Sequence, residues 1–380
     1  MAAYSLIGNT VLAVQPMVVG ALVDLLNFSE RQAGFIASAE LAGFSLAGLA
    51  LLTFVHKANR RVLALAGVAL VVCSDLGACT VGTFPAMLIM RSLAGMGSAM
   101  AYSIFPMLAS ASKRPESVFG IINASSIAYA GAFVWLAPKL LALWHLPGIF
   151  LAMAVLALVV CPTIFWVPAH GQPAAPCGPA AALPARPGSR FHPNIVILLL
   201  VTLCLYVGHG GIWAYQERIG MAAGLPREKV GALLGSSMLI WGVAGSLLAT
   251  WLGLAIGRIW PQVLSFGVSV AAAVMLVVGG SPTVYGVACA LIALSWFYGL
   301  PYLSGWLAML DPNGRANIAC MLVSTAGSAL GPGFAAVLVG SRSGYASIAA
   351  MAGTCYLICL GLVLVNAAYM VRRPAGAIGA

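Results

Sequence analysis

Residues 169–192 read AHGQPAAPCGPAAALPARPGSRFH and interrupt an otherwise apolar chain. The stretch is rich in Pro, Ala and Gly and has no apolar period, which is typical of a flexible linker. It divides the chain into a first half, residues 1–168, and a second half, residues 193–380. We therefore expect two helical units joined by this linker.

Both halves have the composition of a protein embedded in a lipid bilayer. Hydrophobic residues make up 62% of the chain and charged residues 7%, against roughly 45–50% and 25% in a soluble domain. A spanning helix needs about 20 predominantly apolar residues, and each half supplies six such stretches. The sequence predicts an all-α, multi-pass membrane protein with twelve transmembrane helices in two pseudo-symmetric six-helix bundles. The predicted spans are 4–26, 32–55, 62–82, 85–109, 118–142, 147–168, 193–216, 229–254, 259–279, 283–308, 316–340 and 345–371.

The basic residues predict the orientation of the chain in the membrane. With both termini cytoplasmic, eleven of the 18 lysines and arginines lie on the inner side and six on the outer side, as the positive-inside rule requires. Arg91 is the remaining one and lies inside a span. We therefore expect cytoplasmic N- and C-termini, a cytoplasmic linker and a location in the cell membrane, specifically a bacterial inner membrane. Because the basic residues are scattered, no nucleic-acid partner is expected.

The two halves repeat short patterns in the same helix order. Gly34 and Gly48 of the second span have counterparts at the same spacing in Gly231 and Gly245 of the eighth span. Weak internal symmetry of this kind is typical of transporters built from structural repeats.

Two local motifs accompany this organisation. The fourth span begins Arg91-Ser-Leu-Ala-Gly95-Met-Gly97-Ser-Ala99, and Leu52-Thr-Phe-Val-His56-Lys57-Ala-Asn59-Arg60-Arg61 joins the second span to the third. With six helices, a linker and six helices, the chain resembles the major facilitator superfamily. The first motif is similar to the superfamily's Arg-x-x-x-Gly-x-Gly-x-Ala signature. The second is similar to its Gly-x-x-x-Asp-(Arg/Lys)-x-Gly-(Arg/Lys)-(Arg/Lys) loop.

The resemblance implies a secondary transporter with a gating loop at His56, Lys57, Arg60 and Arg61. The basic positions of the loop motif are present. His56 stands where the motif has its Asp, and Asn59 stands where it has its second Gly. The loop therefore lacks the acidic residue on which the family's gating contact depends.

A third motif separates uptake from drug export within the superfamily. Its drug antiporters carry a Gly-Pro motif in the fifth span, where this chain reads Ala130-Gly131-Ala-Phe-Val-Trp135. A similar string, Gly327-Ser-Ala-Leu-Gly331-Pro332-Gly333, lies in the eleventh span instead. This displacement counts against a proton-driven drug exporter.

Three ionisable residues lie at a similar depth in neighbouring spans of the first half. Counting 1.5 Å per residue puts Glu40, Asp75 and Arg91 roughly 9–12 Å below the outer ends. Ionisable groups at such depth usually face partners or pathways. If the three meet, Arg91 can bind one carboxylate bidentately and leave the other, which we expect to be Glu40, to carry a proton. The alternative is a permanently ionised bridge that fixes helix packing.

Other charged residues lie near the outer ends of the spans. Asp24 closes the first span and is expected to be solvated. Glu217 and Arg218 end the seventh span and are expected to form a capping or gating surface.

The second half offers candidates for substrate contact. His209 stands among three glycines, a pattern that exposes backbone groups to a cavity, and is predicted to contact substrate or relay protons; the alternative is a packing role. Trp296, Tyr298 and Tyr302 of the tenth span are predicted to line a site for an apolar or aromatic substrate. Tyr102 occupies a matching pattern in the fourth span and is expected to face them.

The leading functional hypothesis is proton-coupled uptake, or symport, of a small organic acid, an aromatic acid being one option, with Arg91 or His209 as its anion partner. The alternatives are an exporter of drugs or metabolites and a non-transporting membrane receptor. An enzyme is not expected because the sequence has no H-E-x-x-H, no G-x-S-x-G and no metal-spaced cluster. No cofactor or metal is predicted.

Overall fold

The computed structural model describes residues 2–54, 59–109, 115–168, 192–279, 281–311, 315–340 and 344–372, and their regular elements are all helices. The first half contains α1 (Ala2–Leu26), α2 (Glu30–Phe54), α3 (Arg60–Ala78), α4 (Phe84–Ala109), α5 (Pro115–Val160) and a 3₁₀ helix (Cys161–Trp166). The second half contains α6 (Pro193–Ala222), α7 (Arg227–Ser236), a π-helix (Ser237–Gly242), α8 (Val243–Leu252), α9 (Ile259–Val278), α10 (Pro282–Leu310), α11 (Arg315–Leu338) and α12 (Tyr345–Arg372).

The helices are long and apolar enough for a multi-pass membrane protein. Ten stretches of the described residues qualify by length and composition. One of them, Ala124–Trp166, has 43 residues, about twice the length that one crossing needs, and its helix breaks at Trp144 and His145. The all-α membrane architecture is confirmed, whereas the exact number of twelve spans stays a prediction.

The two halves pack against each other mainly through α1 with α6, α2 with α11, and α5 with α7. Gly34 of α2 lies against Tyr215 of α6, and Gly231 of α7 lies against Pro138 of α5. A larger residue at either glycine would collide with the other half. The predicted counterparts Gly34 and Gly231 are therefore both close-contact points between the halves.

The predicted gating loop is described only from Asn59 onward; His56, Lys57 and residues 169–191 of the predicted linker lie outside the described residues. Asn59 caps α3 by accepting a hydrogen bond from the backbone N–H of Arg61. The Arg61 side chain donates from Nε to the Val167 carbonyl oxygen at 2.6 Å, just after the 3₁₀ helix. Asn59 and Arg61 thus tie the start of α3 to the end of the first half.

Candidate functional site

Glu40, Asp75 and Arg91 meet inside the first half and form what we call the acid–arginine cluster. Arg91 donates from Nη1 to Asp75 Oδ1 at 2.6 Å and from Nη2 to Glu40 Oε1. Each of the three side chains is at most 1% exposed. Arg91 therefore binds both carboxylates with one nitrogen each, in place of the predicted bidentate bond to one of them.

Glycines after Arg91 bring α4 close to both acid-bearing helices. A Cβ atom at Gly95 would collide with the Glu40 carbonyl oxygen of α2, and one at Gly97 would lie 2.8 Å from the Gly67 carbonyl oxygen of α3. The Arg-x-x-x-Gly-x-Gly motif thus allows the two helix crossings that place Arg91 between Glu40 and Asp75.

The cluster carries one net negative charge when both carboxylates are ionised. Asp75 Oδ2 and Arg91 Nε have no hydrogen-bond partner among the described residues. The Phe150 ring covers the guanidinium, with 4.7 Å from Arg91 Cζ to the ring centroid. Burying an unbalanced charge costs on the order of several kcal/mol, and one proton on either carboxyl group balances it. The cluster can therefore hold or release a proton as its surroundings change.

A second set of charges joins the two halves at one end of the bundle, which we call the charged end. Arg218 of α6 binds Asp24 Oδ1 and Glu30 Oε1 of the first half, both at 2.8 Å. Arg227 of α7 binds Asp24 as well, and its Nε lies 2.7 Å from Glu217 Oε1. Asp24 is exposed to solvent, as expected, and its carboxylate also bridges the halves through two arginines. Glu217 is fully buried beneath this network.

Hydrogen bonds between uncharged groups also join the two halves, from the charged end towards the middle of the bundle. Tyr215 donates to the Glu30 carbonyl oxygen at 2.6 Å, and the Trp213 indole N–H donates to the Leu12 carbonyl oxygen at 2.7 Å. Ser45 of α2 donates to the Thr325 carbonyl oxygen of α11 at 2.9 Å. The halves are therefore in contact from the charged end well into α2 and α11.

A cavity of about 560 Å³ lies between the two halves, within the range of small-molecule sites. It extends along α10 from Cys289 to Ser304, roughly 22 Å at 1.5 Å per residue. Its described lining contains aromatic, amide and hydroxyl side chains and one imidazole, and no Lys, Arg, Asp or Glu. The polar and aromatic lining residues include Asn9, Gln15, Ser126, Tyr206, His209, Trp213, Gln216, Ser237, Ser246, Trp296, Phe297, Ser304 and Ser328.

His209 and Trp296 form one wall of this cavity. Their rings stack with centroids 3.7 Å apart and planes 15° apart, and Tyr206 meets Trp296 edge-on at 5.0 Å. Tyr356 Oη lies 3.5 Å from His209 Nδ1 on the side of α12. The structure therefore brings His209 and Trp296 together at the cavity.

Two of the three glycines around His209 have a packing role that the sequence interpretation did not include. Helix α6 continues without interruption through this segment. A Cβ at Gly208 would lie 2.7 Å from Cys355 Cβ of α12, and one at Gly211 would lie 2.9 Å from the Gly331 carbonyl oxygen of α11. Gly208 and Gly211 let two helices approach α6, whereas Gly210 lines the cavity.

Tyr298, Tyr302 and Tyr102 are not among the described residues that line the cavity. Tyr298 and Tyr302 pack on each other at 5.5 Å, and Tyr302 donates to the Ala249 carbonyl oxygen of α8. Because a helix turns about 100° per residue, the side chains of Trp296 and Tyr298 point about 200° apart. When Trp296 faces the cavity, Tyr298 therefore faces away from it. Tyr102 lies near Phe44, with ring centroids 6.0 Å apart.

The sequence analysis missed the amides of the cavity. Asn9, Gln15 and Gln216 were the available signal, because each is a neutral polar residue within an apolar span. It also missed the π-helix Ser237–Gly242, whose Ser237 lines the cavity. Short π-helical segments are frequent at functional sites.

Comparisons with known proteins agree with this architecture. The model of the Major Facilitator Superfamily matches residues 1–319, whereas no curated protein matches the sequence. Among solved structures, the chain is similar to a bacterial homologue of the iron transporter ferroportin in an inward-facing state, with 15% identity and a TM-score of 0.71 over 96% of this chain and 97% of that chain. It is also similar to the peptide transporter POT in complex with alafosfalin, with 13% identity and a TM-score of 0.74 over 98% and 93%. The human organic anion transporter MFSD10 (TETRAN) has 16% identity and a TM-score of 0.63 over 95% and 98%. At these identities the likenesses establish the fold alone.

Proposed function

This chain belongs to the major facilitator superfamily, and on that premise we propose that it is a proton-coupled transporter that takes up a small organic solute. The observation that carries the proposal is the acid–arginine cluster. Two carboxyl groups share one guanidinium in a site with at most 1% exposure, so the cluster is electrically neutral with one bound proton. A proton that is bound in one state of the transporter and released in another supplies the coupling.

Glu40 is the proposed proton carrier because of the helix on which it lies. Helix α2 contacts α11 of the other half on both sides of Glu40 in sequence, through Ser38 and Ser45. Asp75 lies on α3, whose main contacts are with α4 and α5 of its own half. Alternating access moves one half against the other. Because Glu40 lies on a helix of that interface, its surroundings change when the halves move. Asp75 keeps its neighbours and holds Arg91 in place.

The cavity is the proposed solute site, and the charged end is the proposed gate. Three ion pairs, of Asp24 and Glu30 with Arg218 and Arg227, join the halves and close one side, and Glu217 binds Arg227 within the second half. Under the predicted orientation, with cytoplasmic termini in a bacterial inner membrane, that side is outside the cell. Arg91 is fully buried beside its two acids, so an organic-acid substrate would have His209 as its basic partner at the cavity.

Proton movement tests this function directly. Purified protein is reconstituted into liposomes that contain a trapped pH-sensitive dye, and small organic solutes are added outside one at a time. We expect at least one solute to acidify the lumen in step with its own uptake. Glu40→Gln is expected to abolish the acidification, and the exposed Glu228 provides the matched control Glu228→Gln, which should keep it. Solute uptake with no proton movement would exclude coupling, and alkalinisation during uptake would identify an exchanger of the exporter type.

A further inference from the structure

The charge of the cavity lining restricts the solute it can hold. The described lining has no Lys, Arg, Asp or Glu. At the charged end, Arg218 and Arg227 are each bound to two carboxylates. An ionised solute that leaves water without a counter-charge loses its hydration with no compensation. His209, the one imidazole of the described lining, is mostly uncharged at pH 7, so the described walls favour an uncharged solute.

The aromatic wall favours a planar ring. The Trp296 ring stacks on the parallel His209 ring and makes a T-shaped contact with Tyr206. Trp213 is held by its indole N–H bond to Leu12. Aromatic rings bind one another in offset-stacked or edge-to-face arrangements, and rings that are already fixed lose little freedom when a further ring packs against them. The wall therefore suits a flat aromatic solute.

The amides at the cavity favour a hydrogen-bond donor. Gln216 is 1% exposed, its Nε2 donates to Cys289 Sγ at 3.2 Å, and its Oε1 has no partner among the described residues. Asn9 donates from Nδ2 to the Ser5 carbonyl oxygen, and Gln15 donates from Nε2 to the Ala37 carbonyl oxygen. Each of these amide nitrogens already donates at least one hydrogen bond, whereas the Gln216 carbonyl oxygen accepts none from the described residues. A buried acceptor without a donor is unfavourable, and a solute N–H supplies that donor.

We propose that the cavity binds an uncharged, planar aromatic solute that donates N–H hydrogen bonds, as aromatic amides and N–H heterocycles do. Trp296 stacks against its ring and Gln216 accepts from its N–H. The inference rests on the proposed function in taking this cavity as the transport site, and it replaces the organic acid expected from the sequence with a neutral class.

Three matched probes test the effect of charge, and a fourth tests the effect of the aromatic ring. Phenylacetamide, phenylacetate and phenethylamine share a ring and a short chain, and at pH 7 they are neutral, anionic and cationic. Cyclohexylacetamide keeps the amide and removes the aromatic ring. Binding to the purified full-length protein is measured by thermal shift and by quenching of tryptophan fluorescence, with no pH gradient present. We expect phenylacetamide to bind at least tenfold more tightly than the other three.

Variants connect that preference to the named residues. Trp296→Leu and Gln216→Leu should each weaken phenylacetamide binding about tenfold, whereas Trp296→Phe should retain most of it by keeping a ring. Trp251 is 82% exposed on α8, so Trp251→Leu is the control that should change nothing. Tightest binding of phenylacetate or phenethylamine, equal binding of cyclohexylacetamide, or binding of none of the probes would overturn the inference. Because binding needs no proton gradient, a failure of proton coupling leaves this result intact, and proton flux driven by charged solutes alone would refute the inference while preserving the proposed function.

Discussion

The two halves of the molecule bury polar clusters of opposite character. In the first half, the acid–arginine cluster joins α2, α3 and α4 through charged side chains. It leaves Asp75 Oδ2 and Arg91 Nε without hydrogen-bond partners among the described residues. This cluster is built from ionisable side chains, and its hydrogen bonding is incomplete among the described residues.

In the second half, a neutral cluster joins α9 to α10. Gln262 donates to the Gly299 carbonyl oxygen at 2.8 Å, and Ser265 donates to the Ser295 carbonyl oxygen at 2.8 Å. The hydroxyl groups of Ser269 and Ser295 lie 2.9 Å apart. These four polar side chains are 1–5% exposed, and uncharged hydrogen bonds are sufficient to hold them.

The two halves therefore share one glycine contact at their interface but differ in the chemistry of their buried polar groups. Gly34 and Gly231 both allow close contact between the halves, whereas the acid–arginine cluster lies in the first half and the stacked wall of His209 and Trp296 lies in the second. We infer a division of labour in which one half binds the proton and the other provides the ring-binding wall.

Removing the guanidinium should have the largest effect. Arg91→Met leaves two carboxylates buried without a cation, and breaking a buried pair costs about 3–5 kcal/mol. Gln262→Met is the matched change in the second half; it removes one hydrogen-bonding side chain, at a cost of about 1–3 kcal/mol. Thermal unfolding in detergent should therefore show a much lower midpoint for Arg91→Met. Equal midpoints would contradict the asymmetry.

Glycine replacement tests the crossing that builds the acid–arginine cluster. Gly95→Ala places a methyl group against the Glu40 carbonyl oxygen, and overpacking of this kind costs about 1–3 kcal/mol. Gly48 has no atom within 4 Å of a built Cβ, so Gly48→Ala should be neutral or stabilising by up to about 1 kcal/mol through helix propensity. The unfolding midpoints of the two variants should move in opposite directions or differ clearly in size. A tolerated Gly95→Ala would show that the crossing has room to relax.

Weakening the ion pairs of the charged end should increase the population of the open state more than it changes the stability of the fold. Arg218→Gln removes ion pairs to Asp24 and Glu30, and about 1 kcal/mol of lost closure increases the population of the open state roughly fivefold. Ala37 is 3% exposed on α2, so maleimide labelling of Ala37→Cys, followed at that site by mass spectrometry, should accelerate about fivefold. The exposed Lys229 gives the control Lys229→Gln. An unchanged labelling rate in Arg218→Gln would mean that these ion pairs do not hold the charged end shut.

The smallest effect is expected in the neutral cluster. Ser269→Ala removes hydroxyl bonds to Ser265 and Ser295 and should cost about 0.5–1.5 kcal/mol of stability. Proton movement during transport, measured with the trapped dye, should stay at the wild-type level. A loss of proton movement in this variant would extend the proton pathway into the second half.

The composition of the chain was sufficient to predict the fold, and the depth of the ionisable residues was sufficient to predict the acid–arginine cluster. The apolar spans predict the helical membrane architecture, and counting residues from the outer ends puts Glu40, Asp75 and Arg91 at one level, where the structure joins them. Depth does not specify which helix faces meet. The sequence therefore did not distinguish Trp296, which faces the cavity, from Tyr298, which packs beside Tyr302.

Partners distant in sequence were the other limit. Asp24 binds Arg218 and Arg227, about 200 positions later in the chain, and no local pattern reports such a pairing. Gln216 is one of two amides in the apolar helix α6, and its importance depends on the cavity that neighbouring helices create around it. Such contacts follow from the packing of the two halves and are not encoded within any one span.

The most direct test of proton coupling through Glu40 compares two transport modes in the same proteoliposomes. Accumulation of a transported solute under a pH gradient requires net proton movement, whereas counterflow exchanges labelled for unlabelled solute and does not. For Glu40→Gln we predict that accumulation falls to the level of protein-free liposomes while counterflow continues near the wild-type rate. Accumulation at the wild-type level in Glu40→Gln would contradict the account and leave the acid–arginine cluster as a packing element.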